Sequence, residues 1–444
     1  MAIKTLHLTN AYHATSGGIR TFYRALLARA NEEQRPFRLV VPGAVDGIEE
    51  VGAFARIYTV KARSSPVFDS RYRVLLPGSY LTRGGRLRKI LEDEQPDLVE
   101  ICDKYSLFYL AALLRKDWIA NVKRPTLVGL SCERMDDNVS AYLTTGRLGR
   151  AVSRAYIRHI YGPPFDAHVA NSEYTAGELR RNLWDRAPDF IHVCPMGVDF
   201  CAFGPVNRDR QFRRRLLVDA GGTGDSVLLL YAGRLSPEKN LGLLVDMLEQ
   251  LQRPTEHGGP ARDYRLVLAG DGPATESLLR DASHRVRHRV LWVGTIRDRA
   301  ELAKYYASAD VFVHPNPREP FGIGPLEAMA SRTPVVLPSA GGVLSYANPT
   351  NAWLAEPIGE SFAHAVRSVV LRPSEARLAA ACETARQHDW SRVAPRFFQL
   401  YEDLHRRRRA VSPAEPVHTP LRLAARPPQE FAPSTTLSHR IVTG

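Results

Sequence analysis

The feature that most constrains this chain is one pattern run twice. Short apolar runs of strand length alternate with amphipathic stretches of helical period, and the alternation restarts after residue 225. Such alternation marks strand-helix units, which build parallel sheets. In the first half Ile3–Leu8 reads as a strand, after which Ile19, Phe22, Tyr23, Leu26 and Leu27 recur at helical spacing. Asp97–Ile101, Thr126–Leu130 and Ala167–Ala170 continue the strand series. The second half supplies Val227–Tyr231, then a helix carrying Leu241, Leu244, Val245, Leu248 and Leu251. Further strands follow at Arg265–Ala269, Val290–Val293, Val311–Val313 and Pro334–Leu337. At 444 residues the chain exceeds what one core usually organises. The expectation is an α/β protein of two doubly wound domains, 1–204 and 225–388, facing across a cleft. A linker at 205–224 holds Pro205, Gly221-Gly222 and the charged run Arg208–Arg215. Trp390, Phe397, Phe398, Tyr401 and Leu404 mark a terminal helix over 389–409, and the aperiodic Pro, Ser, Thr and Ala of 410–444 predict a disordered tail.

Charge and composition narrow the partners. The formal net charge is +13, which favours anionic partners without dictating a fold. Arg147, Arg150, Arg154 and Arg158 recur at helical spacing, with Leu148, Val152, Ala155 and Tyr156 on another side, as in a basic amphipathic helix that rests on an anionic membrane surface. Arg71, Arg73, Arg83, Arg86, Arg88 and Lys89 form a second cluster. No aromatic interleaving or known binding module accompanies this charge, so nucleic acid is not expected. No run is apolar for long enough to span a bilayer, and Met1–His7 leads into a strand without a signal-peptide pattern. The five cysteines, Cys102, Cys132, Cys194, Cys201 and Cys382, are odd in number and lack metal-ligand spacing. A cytoplasmic protein with reduced, mostly buried thiols is expected.

Chemistry concentrates at Glu319-Pro-Phe-Gly-Ile-Gly-Pro-Leu-Glu327, two carboxylates eight positions apart across a glycine-rich turn. Gly324 and Pro325 read as the start of a helix, which places Glu327 near its third position. The unpaired N–H groups of a first helical turn attract a phosphate, and the carboxylates can grip hydroxyls on either side. Hydroxyls, diphosphate and hydroxyls are the layout of a nucleotide-sugar. A plainer reading makes Glu327 a helix cap and Glu319 an exposed loop acid. A hydrolytic carboxylate pair is the other alternative, but it leaves the adjoining phosphate-binding features without a use. Arg234 follows a buried-looking strand and Lys239 lies five residues on, so both can converge on one diphosphate.

Four segments in order resemble the retaining glycosyltransferases of family four, which have the GT-B fold of two Rossmann-like domains. They are Ser16-Gly-Gly-Ile-Arg20, Tyr231-Ala-Gly-Arg-Leu-Ser-Pro-Glu-Lys239-Asn, Ala269-Gly-Asp-Gly-Pro273, and the Glu319–Glu327 segment with its following Ala-Met-Ala. The resemblance covers most of residues 1–405. It implies an acceptor domain first, a donor domain second, and a terminal helix that returns to the first. It implies transfer with retention and without a metal or cofactor, the nucleotide-sugar being a co-substrate. Arg234, Lys239 and Glu319 would be catalytic, the two cations stabilising the departing phosphate and Glu319 holding sugar hydroxyls. The donor would also meet Gly17, Gly18, Gly270, Asp271, Phe321, Gly322 and Ile323, with Gly294, Thr295 and Ile296 near the base and Glu327 on the ribose.

Leu130-Ser-Cys-Glu-Arg-Met-Asp136 resembles the Ser-His-Glu-Arg-Leu-Asp segment of a subgroup that includes bacterial lipid mannosyltransferases. Cys132 replaces the subgroup's histidine, which contacts the donor sugar; Glu133, Arg134 and Asp136 match the acceptor or donor-sugar side. A cysteine cannot become a cation. The outcomes are an altered donor preference, reduced catalysis, or substitution by a neighbour such as Glu133 or His168, although His168 reads as a strand-end core histidine. The resulting expectation is a hexosyltransferase preferring GDP-mannose over a UDP-sugar, acting on a lipid-linked or oligosaccharide acceptor at the inner membrane face. A catalytically impaired sugar-nucleotide-binding protein and a GT-B nucleotide-sugar epimerase are the alternatives.

Overall fold

The computed structural model describes residues 2–13, 17–65, 72–142, 147–186, 188–254 and 262–411. Ser16 and Arg71, and the expected tail from residue 412 onward, lie outside the described residues. One sheet collects β1 (Thr5–Thr9), β2 (Phe37–Gly43), β3 (Gly47–Glu50) and β4 (Ala55–Lys61); a separate hairpin of β5 (Arg63–Ser64) and β6 (Arg73–Val74) follows. The same sheet is completed by β7 (Leu98–Cys102), β8 (Thr126–Ser131), β9 (Ala167–Ala170) and β10 (Ile191–Val193). Its order is β10-β9-β8-β7-β1-β2-β4-β3, parallel throughout except for the edge strand β3. The second sheet is β11 (Val227–Ala232), β12 (Tyr264–Ala269), β13 (Val290–Gly294), β14 (Val311–Val313), β15 (Val335–Pro338) and β16 (Trp353–Ala355). It is all parallel, in the order β13-β12-β11-β14-β15-β16.

The strand runs are continuously apolar because helices cover both sheet faces. In β11, Val227, Leu229 and Tyr231 enter one core while Leu228 and Leu230 enter the opposite one, as the period of two requires. Strand order reverses between β1 and β7 in the first sheet and between β11 and β14 in the second. Both are switch points whose carboxyl ends open a crevice for ligands.

Two features join the halves. Val198 N–H donates to His388 O at 2.8 Å and Trp390 N–H to Val198 O at 3.1 Å, so the outward and returning crossings run side by side. A side chain at Gly197 would meet Trp390 at 2.7 Å. The returning helix Trp390–Val411 then packs on the first half, with Phe397 edge-on to Phe22 at 5.0 Å. Beneath it lies Glu100, fully buried: Tyr23 Oη donates to it at 2.7 Å, Tyr401 Oη from the terminal helix donates to its other oxygen, and His7 Nδ1 lies 3.0 Å away.

The segment expected to be a linker is ordered. Asp209 caps the helix Arg210–Asp219, accepting from Gln211 N and Phe212 N at 2.9 Å each, and the helix buries Leu216 and Leu217. Arg213 binds Asp310 at 2.6 Å and Ser226 O at 2.9 Å. Leu216 and Leu217, just past the charged run, fasten it to the second half. The basic helix exists as Arg147–Tyr156 and continues as a wider turn through Tyr161. Its apolar side differs from expectation: Val152 is exposed between Arg150 and Arg154, while Ser153 and Ile157 point inward.

Candidate active site

The second sheet's switch point brings together groups far apart in sequence. Arg234 follows β11, Lys239 ends a short 3₁₀ turn, and Asn240 takes a left-handed conformation that turns the chain. Across the crevice, His314, Asn316 and Glu319 follow β14. Lys239 Nζ lies 2.8 Å, Asn316 Nδ2 3.1 Å and His314 Nε2 3.3 Å from the same carboxylate oxygen, Glu319 Oε2. Burial alone would raise the Glu319 pKa, but the Lys239 ammonium and His314 outweigh it and hold the carboxyl well below its usual range. Arg234 Nη2 donates to Glu238 Oε1 at 2.6 Å, and its Nη1 reaches across the cleft to Tyr72 Oη at 2.7 Å.

The turn after Glu319 is shaped by packing. Gly322 has φ +87, and a side chain there would meet Tyr346 Oη at 3.1 Å and Glu319 Cγ at 3.2 Å, so glycine is required. Tyr346 Oη donates to Gly322 O at 2.6 Å, and the Phe321 ring packs on Tyr346 in the core. Phe321 therefore shapes the turn through its buried ring. The helix begins at Ile323, earlier than the expected Gly324-Pro325 start, because left-handed Gly322 forms its cap; Glu327 is then the fifth helical residue. Its buried carboxyl lies against Tyr306, and burial raises its pKa against the pull of that hydroxyl. The two acids of one motif are thus held in opposite electrostatic settings.

The other glycine turns abut this site. Gly270 N donates to Gly294 O at 2.7 Å, and Trp292 Nε1 donates to Gly270 O at 2.7 Å. A side chain at Gly270 would strike Gly233 O at 1.9 Å, so the turns after β11 and β12 interlock. Asp271 Oδ1 accepts from Gly272 N at 2.8 Å and from Thr275 Oγ1 at 3.0 Å, closing its own turn. Thr295 is exposed, whereas Ile296 packs partly against the core.

From the first half, Gly17 precedes the helix Gly18–Glu32. A side chain on Gly18 would lie 3.4 Å from Ile323 Cδ1, so Gly18 faces the Glu319–Glu327 turn, whereas one on Gly17 would meet open space. Ser172 Oγ donates to Pro320 O at 2.5 Å across the same cleft. Cys132 follows β8, and its free thiol lies against the free thiol of Cys102 at the end of β7; that contact and burial raise its pKa. Its loop is anchored from below by Lys104, whose Nζ bonds Glu133 O at 2.5 Å and Glu178 Oε2 at 3.0 Å. Glu178 Oε1 accepts from Asp136 N at 2.9 Å. Arg134 binds Asp136 through Nε at 2.9 Å and lies over the Tyr174 ring at 4.3 Å. Burial raises the Glu133 pKa. His168 is fully buried among Tyr161, Phe165 and Phe190, and burial lowers its pKa to about 3, so it is a core residue and no replacement for the missing imidazole.

Sequence reading missed His314, Asn316, Tyr72 and Tyr306. His314 was findable in principle, as the first residue beyond a parallel strand at the switch point; Tyr72 and Tyr306 carry no such signal.

Both halves of the chain match known families. The model described as Glycosyltransferase Family 4 matches residues 16–200, and that described as Glycosyl transferases group 1 matches residues 217–388. The chain is 29% identical over 392 residues to a GDP-mannose-dependent alpha-(1-6)-phosphatidylinositol dimannoside mannosyltransferase of Mycobacterium tuberculosis, covering 88% of this chain and 94% of that one. It is 34% identical over 263 residues to a D-inositol 3-phosphate glycosyltransferase of Xylanimonas cellulosilytica, covering 55% and 58%. Among solved structures, a sucrose-phosphate synthase from Thermosynechococcus elongatus superposes with TM-score 0.70 at 20% identity, over 91% of this chain and 100% of that one. Anabaena HepE, solved with UDP and glucose, gives 0.64 at 18% identity, over 90% and 99%. The chain belongs to glycosyltransferase family 4 and is a hexosyltransferase of the GT-B fold.

Proposed function

We propose that this enzyme moves mannose from GDP-mannose to a lipid-linked or glycan acceptor, with retention and without a metal ion. The observation that carries the reading is the Lys239–Glu319 pair at one switch point, with Arg234 on the same turn as Lys239 and Gly18 against Ile323 from the other half. A donor diphosphate lies between the amino-terminal glycine loop and the two cations, which offset the charge that develops as the glycosidic bond breaks. Glu319 takes hydroxyls of the transferred sugar, and Glu327 the ribose. The acceptor hydroxyl attacks from the face that the phosphate leaves, and the departing phosphate takes its proton. GDP-mannose is favoured over a UDP-sugar by the 29% identical relative, whose match spans nearly its whole length. Exposed Val152 and Ile160, 57% and 46% accessible, lie among the arginines of one basic helical segment; they support seating on an anionic membrane face. Among the described residues no helix is long and apolar enough to cross a membrane.

The test is to incubate the full chain with GDP-mannose or UDP-glucose, with and without a bacterial lipid extract, and to measure nucleoside diphosphate release. Acceptor-dependent release of GDP is expected, falling by roughly 10²–10³-fold in Glu319→Ala. Tight binding without turnover, favoured by the Cys132–Cys102 contact, would assign an impaired sugar-nucleotide-binding protein instead. Conversion of the nucleotide-sugar without an acceptor would assign an epimerase.

A further inference from the structure

Glu319 is held asymmetrically. Lys239 and Asn316 donate to Oε2, and His314 Nε2, with no hydrogen bond of its own among the described residues, lies 3.3 Å from the same oxygen; none of these contacts goes to Oε1. Each group is itself fixed. Asn316 is 2% exposed, and its Oδ1 accepts from Arg318 N at 3.0 Å, which leaves its Nδ2 turned to the carboxylate. His314 is 6% exposed at the end of β14, and its backbone N–H is locked to Val336 O at 3.0 Å. The backbone of the acid is pinned as well, since Gly342 N donates to Glu319 O at 2.7 Å. A carboxylate free to rotate would share its donors between both oxygens. Here one oxygen is saturated and the other is left to accept.

We infer that His314 and Asn316 are positioning residues, which with Lys239 clamp Glu319 Oε2 so that Oε1 alone is presented to a hydroxyl of the transferred hexose. The inference rests on the function proposed above. Lys239 supplies charge to this clamp, whereas His314 and Asn316 supply direction. The arrangement also splits the work of one motif: Glu319 is aimed by residues from the preceding strand end, and Glu327 is seated by the helix that follows.

The test compares His314→Leu, His314→Gln, Asn316→Ala and wild type by calorimetric titration with GDP and with GDP-mannose, by turnover, and by crystallography. GDP lacks the hexose, so its affinity should stay within about 2-fold of wild type in every variant. Turnover should fall by about 10²-fold in His314→Leu and Asn316→Ala, because a misplacement near 1 Å costs that much. His314→Gln, which keeps a donor near the same place, should recover most of it. In crystals of His314→Leu the Glu319 carboxylate should swing away from its observed position. Equal losses of GDP and GDP-mannose binding would reduce His314 to a structural part and overturn the inference. An unmoved Glu319 in His314→Leu would overturn it without any substrate, whereas lack of turnover by wild type with every donor would overturn only the function proposed above.

Discussion

The two switch points share a reversal of strand order and differ in what their side chains are doing. At the first, Asn10 Nδ2 donates to Asp103 Oδ2 and to Ser106 Oγ at 2.9 Å each, while Asn10 Oδ1 accepts from Leu75 N at 2.9 Å. Asp103 Oδ1 accepts from the backbone of Tyr105, Ser106 and Leu107 at 3.0, 2.7 and 2.8 Å. These polar groups satisfy one another and stabilise the crevice walls. At the second, Glu319 keeps one oxygen outside its clamp, and Arg234 keeps 35% of its side chain accessible. Topology therefore supplies two crevices, and the saturation of hydrogen bonds separates side chains that build a wall from those left to grip a ligand.

The comparison breaks most readily at Lys239. Lys239→Met should lower turnover by about 10²-fold or more. It should also cost roughly 3 kcal/mol in denaturant unfolding, the low end for a buried pair because the lysine side chain is 20% exposed. Glu319 has a depressed pKa, so the pair's contribution is present above the unfolded value of 4.5 and is lost only as pH falls through the lower folded value. In Lys239→Met burial is no longer outweighed and the Glu319 pKa rises, so the stability cost should be largest at neutral pH and smaller at about pH 5; a cost that grows as pH falls would contradict the clamp.

Asp103→Ala tests the opposite crevice. Three backbone donors lose their acceptor, so unfolding should cost about 2–3 kcal/mol less, while turnover of the folded protein stays close to wild type. A large kinetic effect without destabilisation would show that Asp103 itself also handles substrate. A smaller loss, about 1.5 kcal/mol, is expected for Tyr401→Phe, which removes one donor from buried Glu100; donor affinity should not change.

The smallest effect belongs to Glu327. Its folded pKa is raised, so its favourable contribution is present below the unfolded value of 4.5 and is lost as pH rises through the folded value. Glu327→Gln should therefore flatten the fall in melting temperature between about pH 4 and neutral pH, while weakening GDP-mannose binding. A melting profile that stays parallel to wild type would remove the contrast with Glu319.

Much of this was legible in the sequence, for identifiable reasons. Long apolar strands such as Val227–Ala232 announce themselves, and the glycine turns carry motifs that survive without context. Phe37–Gly43 and Ala55–Lys61 escaped, since Arg38, Pro42 and Arg56 interrupt their apolar pattern. The helix Arg210–Asp219 hid behind its arginines, with only Phe212, Leu216 and Leu217 to fasten it. Within the site, Arg234, Lys239 and Glu319 could be named singly. That Lys239 pairs with a carboxylate 80 positions away, or that His314 and Asn316 aim it, depends on which strand ends the fold sets side by side.

The seat of Tyr401 on Glu100 has a bearing on biosynthesis. The first sheet emerges from the ribosome early, yet the ring and hydroxyl that close its core belong to the helix Trp390–Val411, made last among the described residues. Until that helix arrives, Glu100 lacks one of its two tyrosine donors and Phe22 one of its neighbours. The amino-terminal half is therefore completed only after the donor-side half has been synthesised, and a fragment cut after the first crossing would carry an open core.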